Sequence, residues 1–190
     1  GKNDYEVMSV DDMHLFGNHN YENVMAAIAM TIEAGVPLNI IINVIKDFMG
    51  VEHRIEYVRD KNGVRYYNDS KGTNPDSSIK ALEAMSRPTI LIAGGYDKHS
   101  EFDEFIEAFD NKVKLMVLLG QTADKIEETA VRHGFTNIIK TDSLEKAVKI
   151  CAENAVSGDV VLLSPACASW GMFKNYEERG KLFKEYVNSL

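Results

Sequence analysis

Short apolar runs recur at a regular spacing along the chain from residue 51 onward. They begin near Val64, Thr89, Lys114, Asn137 and Asp159, at intervals of 25, 25, 23 and 22 residues. Segments with helical spacing of apolar residues fill the intervals. Short continuous apolar runs that alternate with helices are typical of parallel strands buried on both faces. The pattern predicts an α/β fold with a doubly wound, mostly parallel, Rossmann-like sheet.

An antiparallel strand is predicted just before the parallel set. Residues 54–58 (RIEYV) and 64–68 (VRYYN) flank the segment RDKNG. The dipeptide Asn62-Gly63 favours the backbone conformation of a two-residue hairpin turn. We therefore expect the strands at 54–58 and 64–68 to pair as a hairpin.

Residues 1–50 have a different, helical pattern. One helix repeats apolar residues from Val24 to Ile32, and a second begins after Pro37. Two helices cannot close a hydrophobic core by themselves. The sequence therefore predicts a helical appendage at 1–50 and an α/β domain at 51–190. The appendage either docks on the α/β domain or belongs to a larger domain upstream.

Composition narrows the class of protein. The formal net charge is −8, which argues against nucleic-acid binding because that needs clustered Lys and Arg. The apolar runs are far shorter than the ~20 residues that cross a bilayer, so we expect no membrane segment.

Cys151 and Cys167 lack a CxxC spacing, which favours reduced thiols in a cytoplasmic protein. The histidines show no metal-ligand spacing, and we expect no metal site in this chain.

Polar residues are concentrated where three of the apolar runs end. The segments are 69–75 (DSKGTNP), 94–99 (GGYDKH) and 164–171 (SPACASWG). Ligands of open α/β sheets bind beyond the carboxyl ends of the strands, so these segments form the candidate site. Pro75 suits the first position of a helix and Asn74 its N-cap, which is a purely structural explanation of Thr-Asn-Pro.

A helix cap leaves Asp69 and Lys71 unexplained. The N-terminus of a helix favours an anion, and Lys71 and Thr73 would add a charge and a hydroxyl to it. Lys98 follows the next strand and would project toward the same edge. The sequence therefore predicts a site for a carboxylate or a phosphate. For Cys167 a packed thiol is favoured over a nucleophile, because no histidine lies near it in sequence.

Five segments, in this order, are similar to one family. They are GNHNYENVMAA (17–27), EHRIE (52–56), YYNDSKGTNPDS (66–77), GGYDKHSEF (94–102) and LLSPACASWGMFKNYEERGKLF (162–183). Together they resemble the C-terminal part of the Mur ligases, the ATP-dependent amide-forming enzymes of peptidoglycan synthesis. The resemblance implies that 1–50 is the tail of the central ATP-binding domain and that 51–190 is the amino-acid-binding domain.

The resemblance also implies substrates. They are ATP with Mg²⁺, UDP-N-acetylmuramoyl-L-alanine, and D-glutamate as the incoming amino acid. Thr73 and Lys98 would hold the α-carboxylate of D-glutamate. Ser169 and the backbone near Tyr176 would hold its side-chain carboxylate. Lys71 would be the catalytic residue, which stabilises the charge of the phosphate or of the tetrahedral intermediate.

Four residues are implied to contact the nucleotide. Asn20 and Asn23 would lie near the adenine, and Arg54 and Asp69 would reach the phosphates and ribose when the C-terminal domain closes. The family's phosphate loop, metal-binding residues and carbamylated lysine would lie upstream, and no GxxxxGK[ST] motif occurs in this chain. We therefore expect the chain to be inactive alone, and monomeric.

The chain departs from the family pattern at several loop positions. His99 stands where a Gly is common, Trp170 where a Leu is common, Gly171 where an Asp is common, and Tyr176 where a Phe is common. These differences concern the shape of the loops more than the chemistry. Two alternatives stay open, namely another Mur or folylpolyglutamate-type ligase, and a non-catalytic nucleotide-binding α/β module.

Overall fold

The chain groups into two compact units, Gly1–Val51 and Glu52–Leu190. A computed structural model describes residues 6–15 and 17–190. The first unit contains a short 3-10 helix, Val10–Asp12, followed by α1 (Asn18–Glu33) and α2 (Leu38–Asp47). Both predicted helices are thus confirmed. No helix in the described ranges is long and apolar enough to cross a membrane.

The helices of the first unit have almost no core of their own. Among its described residues only Ile41 is buried. Large apolar side chains of this unit are exposed instead, namely Val10, Met25, Met30, Ile32, Ile40, Val44, Phe48, Met49 and Val51. The structure agrees with the expectation that two helices do not close a hydrophobic core.

The second unit is built on a six-stranded sheet. Its strands are β1 (Glu56–Lys61), β2 (Val64–Asn68), β3 (Thr89–Ala93), β4 (Val113–Leu118), β5 (Ile138–Lys140) and β6 (Val160–Leu163). Its helices are α3 (Pro75–Glu83), α4 (Asp103–Glu107), α5 (Ala123–Arg132), α6 (Leu144–Asn154) and α7 (Tyr176–Ser189). The strand order is β1-β2-β6-β3-β4-β5, and only β1 runs antiparallel to its neighbour. The predicted fold class is confirmed.

The predicted hairpin forms, but its first strand was placed too early in the chain. The strand begins at Glu56 rather than at residue 54, because Ile55 has a φ of 45°, which interrupts extended backbone. It continues to Lys61, next to the turn. Asn62 and Gly63 have φ values of 55° and 80°, as a two-residue hairpin turn of type I′ requires.

The sheet is buried on both faces. Successive side chains of a strand point to opposite faces, so Ile90 and Ile92 lie on one face and Leu91 on the other. The first face packs against the apolar sides of α6 and α7, which include Val148 and Phe183. Leu91 has no exposed surface either, so the second face is covered as well. This two-sided burial explains why the strands read as continuous apolar runs.

The position of β6 in the sheet brings the candidate loops together. β6 is the last strand along the chain but pairs with β2 on one side and β3 on the other. The segments after β2, β6 and β3 therefore emerge side by side at the carboxyl edge of the sheet. These are the 69–74 loop, the 164–171 loop and the 94–98 loop.

Candidate functional site

The three loops are joined to one another by backbone hydrogen bonds. Gly94 N donates to the Pro165 carbonyl at 2.8 Å, and Tyr96 N donates to the Ala168 carbonyl at 2.9 Å. Asp69 N donates to the carbonyl of Leu163, the last residue of β6, at 2.7 Å. The middle loop is thus bonded on both sides, and the edge of the sheet forms one continuous surface.

The carboxylate of Asp69 lies inside this surface. Asp69 is 4% exposed, and its Oδ1 accepts a hydrogen bond from Ile55 N at 3.2 Å. Its Oδ2 accepts one from Ser164 Oγ at 2.7 Å. Burial raises the pKa of Asp69 to about 7, although both hydrogen bonds favour the ionised form. Asp69 therefore holds the start of β1 and the 164–171 loop against the end of β2.

A second buried charge, Arg179 of α7, joins two of the loops. Its Nε donates to Ser70 Oγ at 2.9 Å and its guanidinium donates to the Ser70 carbonyl at 2.7 Å. It also donates to the Cys167 carbonyl at 3.1 Å. Arg179 is 2% exposed, and burial lowers its pKa to about 10. The guanidinium thus fixes the 69–74 loop relative to the 164–171 loop.

Sequence reasoning recognised the motif that contains Arg179 but gave this residue no role. A signal was present, because Arg179 lies four and eight residues before Phe183 and Val187, which are both fully buried. Residues with this spacing share one helix face. An arginine on the apolar side of a helix indicates a buried guanidinium that needs acceptors. Ser164 and Ser78, whose hydroxyls lie 2.8 Å apart beneath the loops, gave no comparable signal.

The predicted substrate-binding side chains are available for a ligand. The side chains of Thr73, Lys98 and Ser169 make no hydrogen bond or ion pair with any residue in the described ranges. Lys98 is exposed, Thr73 is partly buried and Ser169 is buried. The structure brings their three loops together, with one of the three donors on each.

Lys71 and Tyr176 are in direct contact. Lys71 Nζ lies 3.2 Å from the Tyr176 hydroxyl and 5.0 Å from the centre of its ring. Ser70 Oγ donates to the Tyr176 carbonyl at 2.8 Å, while it accepts from Arg179. Tyr176 begins α7, and Asn175 caps this helix by accepting from Glu178 N. The predicted catalytic lysine thus lies next to a residue predicted to bind substrate.

The helix after the 69–74 loop begins as predicted. Pro75 is its first residue, and the side chain of Asn74 accepts a hydrogen bond from Ser77 N at 2.9 Å. The N-cap is therefore confirmed. Within the part of the chain that the structure describes, the Thr73 hydroxyl makes no hydrogen bond, so the structural role of Asn74 and a ligand role of Thr73 are compatible.

Arg54 lies at the start of the second unit, between two residues whose backbone is in the left-handed region. It is exposed, and its side chain is unpaired within the described part of the chain. Its neighbours His53 and Ile55 both have positive φ values, 66° and 45°. The His53 carbonyl accepts from Lys71 N at 3.0 Å, and Ile55 N donates to Asp69. Arg54 is thereby connected through the backbone to two other predicted site residues.

Asn20 and Asn23 belong to the first unit. They occupy the first two turns of α1, three residues apart and therefore on the same side of the helix. Asn20 is partly buried and Asn23 is exposed. Their predicted contact with the adenine stays a prediction.

One group of side chains has the composition of a metal site. The ligand atoms of Glu52, His53 and Glu56 lie within 4.8 Å of one another. However, Lys184 Nζ already bonds to Glu52 at 2.6 Å and to Glu56 at 2.9 Å. Asn68 lies 2.9 Å from His53 Nδ1, and burial lowers the pKa of His53. A lysine ammonium occupies the place of a cation, so these residues do not fit Mg²⁺, which prefers oxygen ligands and water.

Both cysteines are packed thiols. Cys151 and Cys167 are buried and free. Burial raises the pKa of Cys167 to about 11, although the Thr122 hydroxyl at 3.2 Å opposes the rise. Burial also raises the pKa of Cys151. Because the thiolate is the nucleophile, neither residue is activated for covalent catalysis.

Comparison with protein families gives a match over the second unit. Residues 53–167 match the family model described as "Mur ligase, glutamate ligase domain". The match covers more than half of the chain. The chain belongs to the Mur ligase family.

Two relatives support this assignment of a Mur ligase. The chain is 65% identical over 190 residues to the UDP-N-acetylmuramoylalanine–D-glutamate ligase of Lachnospira eligens, covering 100% of this chain and 42% of that protein. It is 59% identical over 184 residues to the enzyme of the same name from Lachnoclostridium phytofermentans, covering 97% and 40%. The chain thus spans about two fifths of the length of these relatives.

Solved structures show the same fold. The UDP-N-acetylmuramate-alanine ligase of Thermotoga maritima superposes with a TM-score of 0.70 at 17% identity, covering 93% of this chain and 39% of that one. The folylpolyglutamate synthase of the same organism gives a TM-score of 0.62 at 15% identity, covering 93% and 40%. At these identities the comparison supports the Rossmann-like Mur ligase fold alone.

Proposed function

We propose that this chain is the acceptor-binding part of an ATP-dependent ligase that joins D-glutamate to UDP-N-acetylmuramoyl-L-alanine. One observation carries the proposal. Three loops tied together at one sheet edge each carry one donor, Thr73, Lys98 or Ser169, that is unpaired within the described ranges. The names of the relatives at 65% and 59% identity supply the substrate.

The proposed roles follow the chemistry of the donors. Lys98 and Thr73 hold the α-carboxylate of D-glutamate, by a charge and a hydroxyl. Ser169 and the backbone near Tyr176 hold the side-chain carboxylate. A dicarboxylate held at both ends has its amine fixed in direction, and such positioning is a large part of the catalysis of a two-substrate reaction.

Lys71 is the proposed charge-stabilising residue. ATP phosphorylates the carboxylate of the UDP-linked substrate, and the amine of D-glutamate attacks this acyl phosphate, so that negative charge accumulates on the oxygens of the tetrahedral intermediate. The intermediate collapses to the amide as its C–O bond to phosphate breaks, the amine loses a proton and phosphate leaves. The Lys71 ammonium, oriented by the Tyr176 hydroxyl at 3.2 Å, would stabilise that charge. Asn20, Asn23, Arg54 and Asp69 remain our proposed nucleotide contacts.

Mg²⁺ would accompany the ATP, but the described residues offer no set of ligands that fits it. Among the described residues, the one group of side chains with suitable spacing is Glu52, His53 and Glu56, and both glutamates already bond Lys184. We therefore assign the metal to residues outside this chain. Because the chain also carries no phosphate-loop motif, we expect it to be inactive by itself. A monomeric cytoplasmic enzyme stays our expectation.

An acceptor panel tests the proposed function. The full-length ligase that contains this chain is supplied with ATP, Mg²⁺ and UDP-N-acetylmuramoyl-L-alanine, and phosphate release is measured with D-glutamate, L-glutamate, D-aspartate, L-alanine or L-lysine. The expected result is efficient turnover with D-glutamate and little with the others. Preference for another amino acid would identify a related ligase, and no turnover with any would favour a non-catalytic module.

A further inference from the structure

An exposed aromatic pair bridges two of the substrate loops. Tyr96 and Trp170 have ring centres 5.4 Å apart at an angle of 60°, in an edge-to-face arrangement. Trp170 is 56% exposed and Tyr96 is 39% exposed. The pair therefore presents an apolar surface to solvent directly beside two of the candidate substrate loops.

The two loops that carry the aromatic pair are hydrogen-bonded to each other through their backbones. Tyr96 N donates to the Ala168 carbonyl, and the two residues form an isolated antiparallel bridge. Gly95 allows this approach, because a Cβ atom there would lie 2.4 Å from the Ala168 carbonyl oxygen. The backbone thus holds the two residues side by side, one on each loop.

The sequence position of the pair relates it to both carboxylate sites. Tyr96 lies two residues before Lys98, and Trp170 directly follows Ser169. In the proposed complex Lys98 holds one carboxylate of D-glutamate and Ser169 holds the other. Two methylene groups separate these carboxylates, and the aromatic pair spans the two loops that hold them. Apolar rings are the groups that bury methylenes favourably.

We propose that Tyr96 and Trp170 form the apolar wall of the acceptor site, which covers the methylene groups of D-glutamate and sets the accepted length of the dicarboxylate. This inference rests on the proposed function and deepens it. It makes the aromatic pair a determinant of specificity, while Lys98 and Ser169 supply the charge and the hydroxyl.

The test uses the full-length ligase with Trp170→Ala and Tyr96→Ala. We expect the KM for D-glutamate to rise roughly 5- to 20-fold in each, the range for losing burial of one or two methylene groups. The KM values for ATP and for UDP-N-acetylmuramoyl-L-alanine should stay within about twofold of the wild-type values. The ratio of kcat/KM for D-glutamate over D-aspartate should fall by roughly fourfold, because the two acceptors differ by one methylene group, and Trp170→Phe should restore most of this ratio.

Tyr57→Ala is the matched control. Tyr57 is 54% exposed and makes the same edge-to-face contact, with Tyr67 at 5.7 Å, but on the edge strand β1. Its loss should leave all three KM values unchanged. If Trp170→Ala does not fold, Tyr96→Ala carries the same test from the other side of the pair.

Two results would overturn the inference. One is an unchanged KM for D-glutamate and unchanged discrimination in folded variants at both positions. The other is a rise in the KM for ATP or for the UDP-linked substrate that equals or exceeds the rise for D-glutamate, which would assign the pair to another contact. If Lys98→Ala impairs D-glutamate use in the same assay while the aromatic variants do not, the proposed function stands and only this inference fails. A wild-type enzyme that does not use D-glutamate would reject both.

Discussion

At the scale of single residues, the buried carboxylate of Asp69 is ionised in the folded chain only at a cost in free energy. Burial favours its neutral form and raises its pKa to about 7, while an aspartate in an unfolded chain titrates near 4. Between these pH values the folded chain binds a proton that the unfolded chain has lost. The free energy of unfolding therefore falls as pH rises from about 4 to about 7 and is flat, for this group, above that.

Asp69→Asn should remove this pH dependence. Measured by urea unfolding of the 190-residue chain, the wild type should lose on the order of 3 kcal/mol relative to Asp69→Asn between pH 5 and pH 8. Asp60→Asn makes the same charge change at an exposed position near the end of β1 and should not show the effect. Parallel stability curves for wild type and Asp69→Asn across this pH range would contradict the assignment.

The sequence offers candidate donors but does not show what holds their loops. Thr73 and Lys98 are candidates because a strand ends just before each of their loops, and Ser169 is one through the resemblance to the Mur ligases. The supports act between distant residues: Ser164 contacts Asp69 across 95 positions, and Arg179 contacts Ser70 across 109. A local pattern does not contain such pairings, because they depend on the order of strands in the sheet.

At the scale of elements, α7 shows how one glycine sets a helix position. Gly180 lies inside α7, where glycine ordinarily destabilises a helix by about 1 kcal/mol relative to alanine. Here a Cβ atom would lie 2.2 Å from Nδ1 of His53, which is itself buried. His53 also lies 2.9 Å from the amide nitrogen of Asn68. The glycine lets α7 approach the segment that carries Arg54.

Gly180→Ala should therefore destabilise the chain, against the usual helix preference. We expect a loss of about 1–3 kcal/mol in the free energy of unfolding, the range for overpacking a close contact. Lys181→Ala, at an exposed position of the same helix, reports the helix preference alone and should be nearly neutral. A Gly180→Ala variant that is as stable as the wild type or more stable would show that α7 and His53 are not in close contact.

Strands were predicted accurately where burial on both faces of the sheet gives a nearly continuous apolar run in the sequence, as in β3, β4 and β6. It was less accurate at β1, an edge strand whose residues are partly exposed and carry no such run. There the positive φ of Ile55, fixed by its hydrogen bond to Asp69, sets the boundary. The boundary is thus imposed by a contact with the end of β2 and not by local preference.

At the scale of the whole molecule, the strand order is what assembles the site. The apolar runs of the parallel strands resemble one another, so the sequence does not reveal which strands are neighbours. The structure places β6 between β2 and β3, and only this order puts the Ser169 loop between the loops of Thr73 and Lys98. In the first unit, by contrast, both helices were predicted correctly, yet several of their large apolar side chains, among them Met25, Met30 and Val44, remain exposed.

The central claim is that this sheet edge binds the incoming D-glutamate, and Lys98 tests it most directly. In the full-length ligase, Lys98→Ala should raise the KM for D-glutamate by about 10- to 100-fold, as loss of a charge-assisted hydrogen bond of ~1.5–3 kcal/mol requires. The KM for ATP should change by less than about twofold. Lys149→Ala, which removes an exposed lysine of α6 paired with Glu145, should change neither value. An unchanged KM for D-glutamate in a folded Lys98→Ala enzyme would contradict the account.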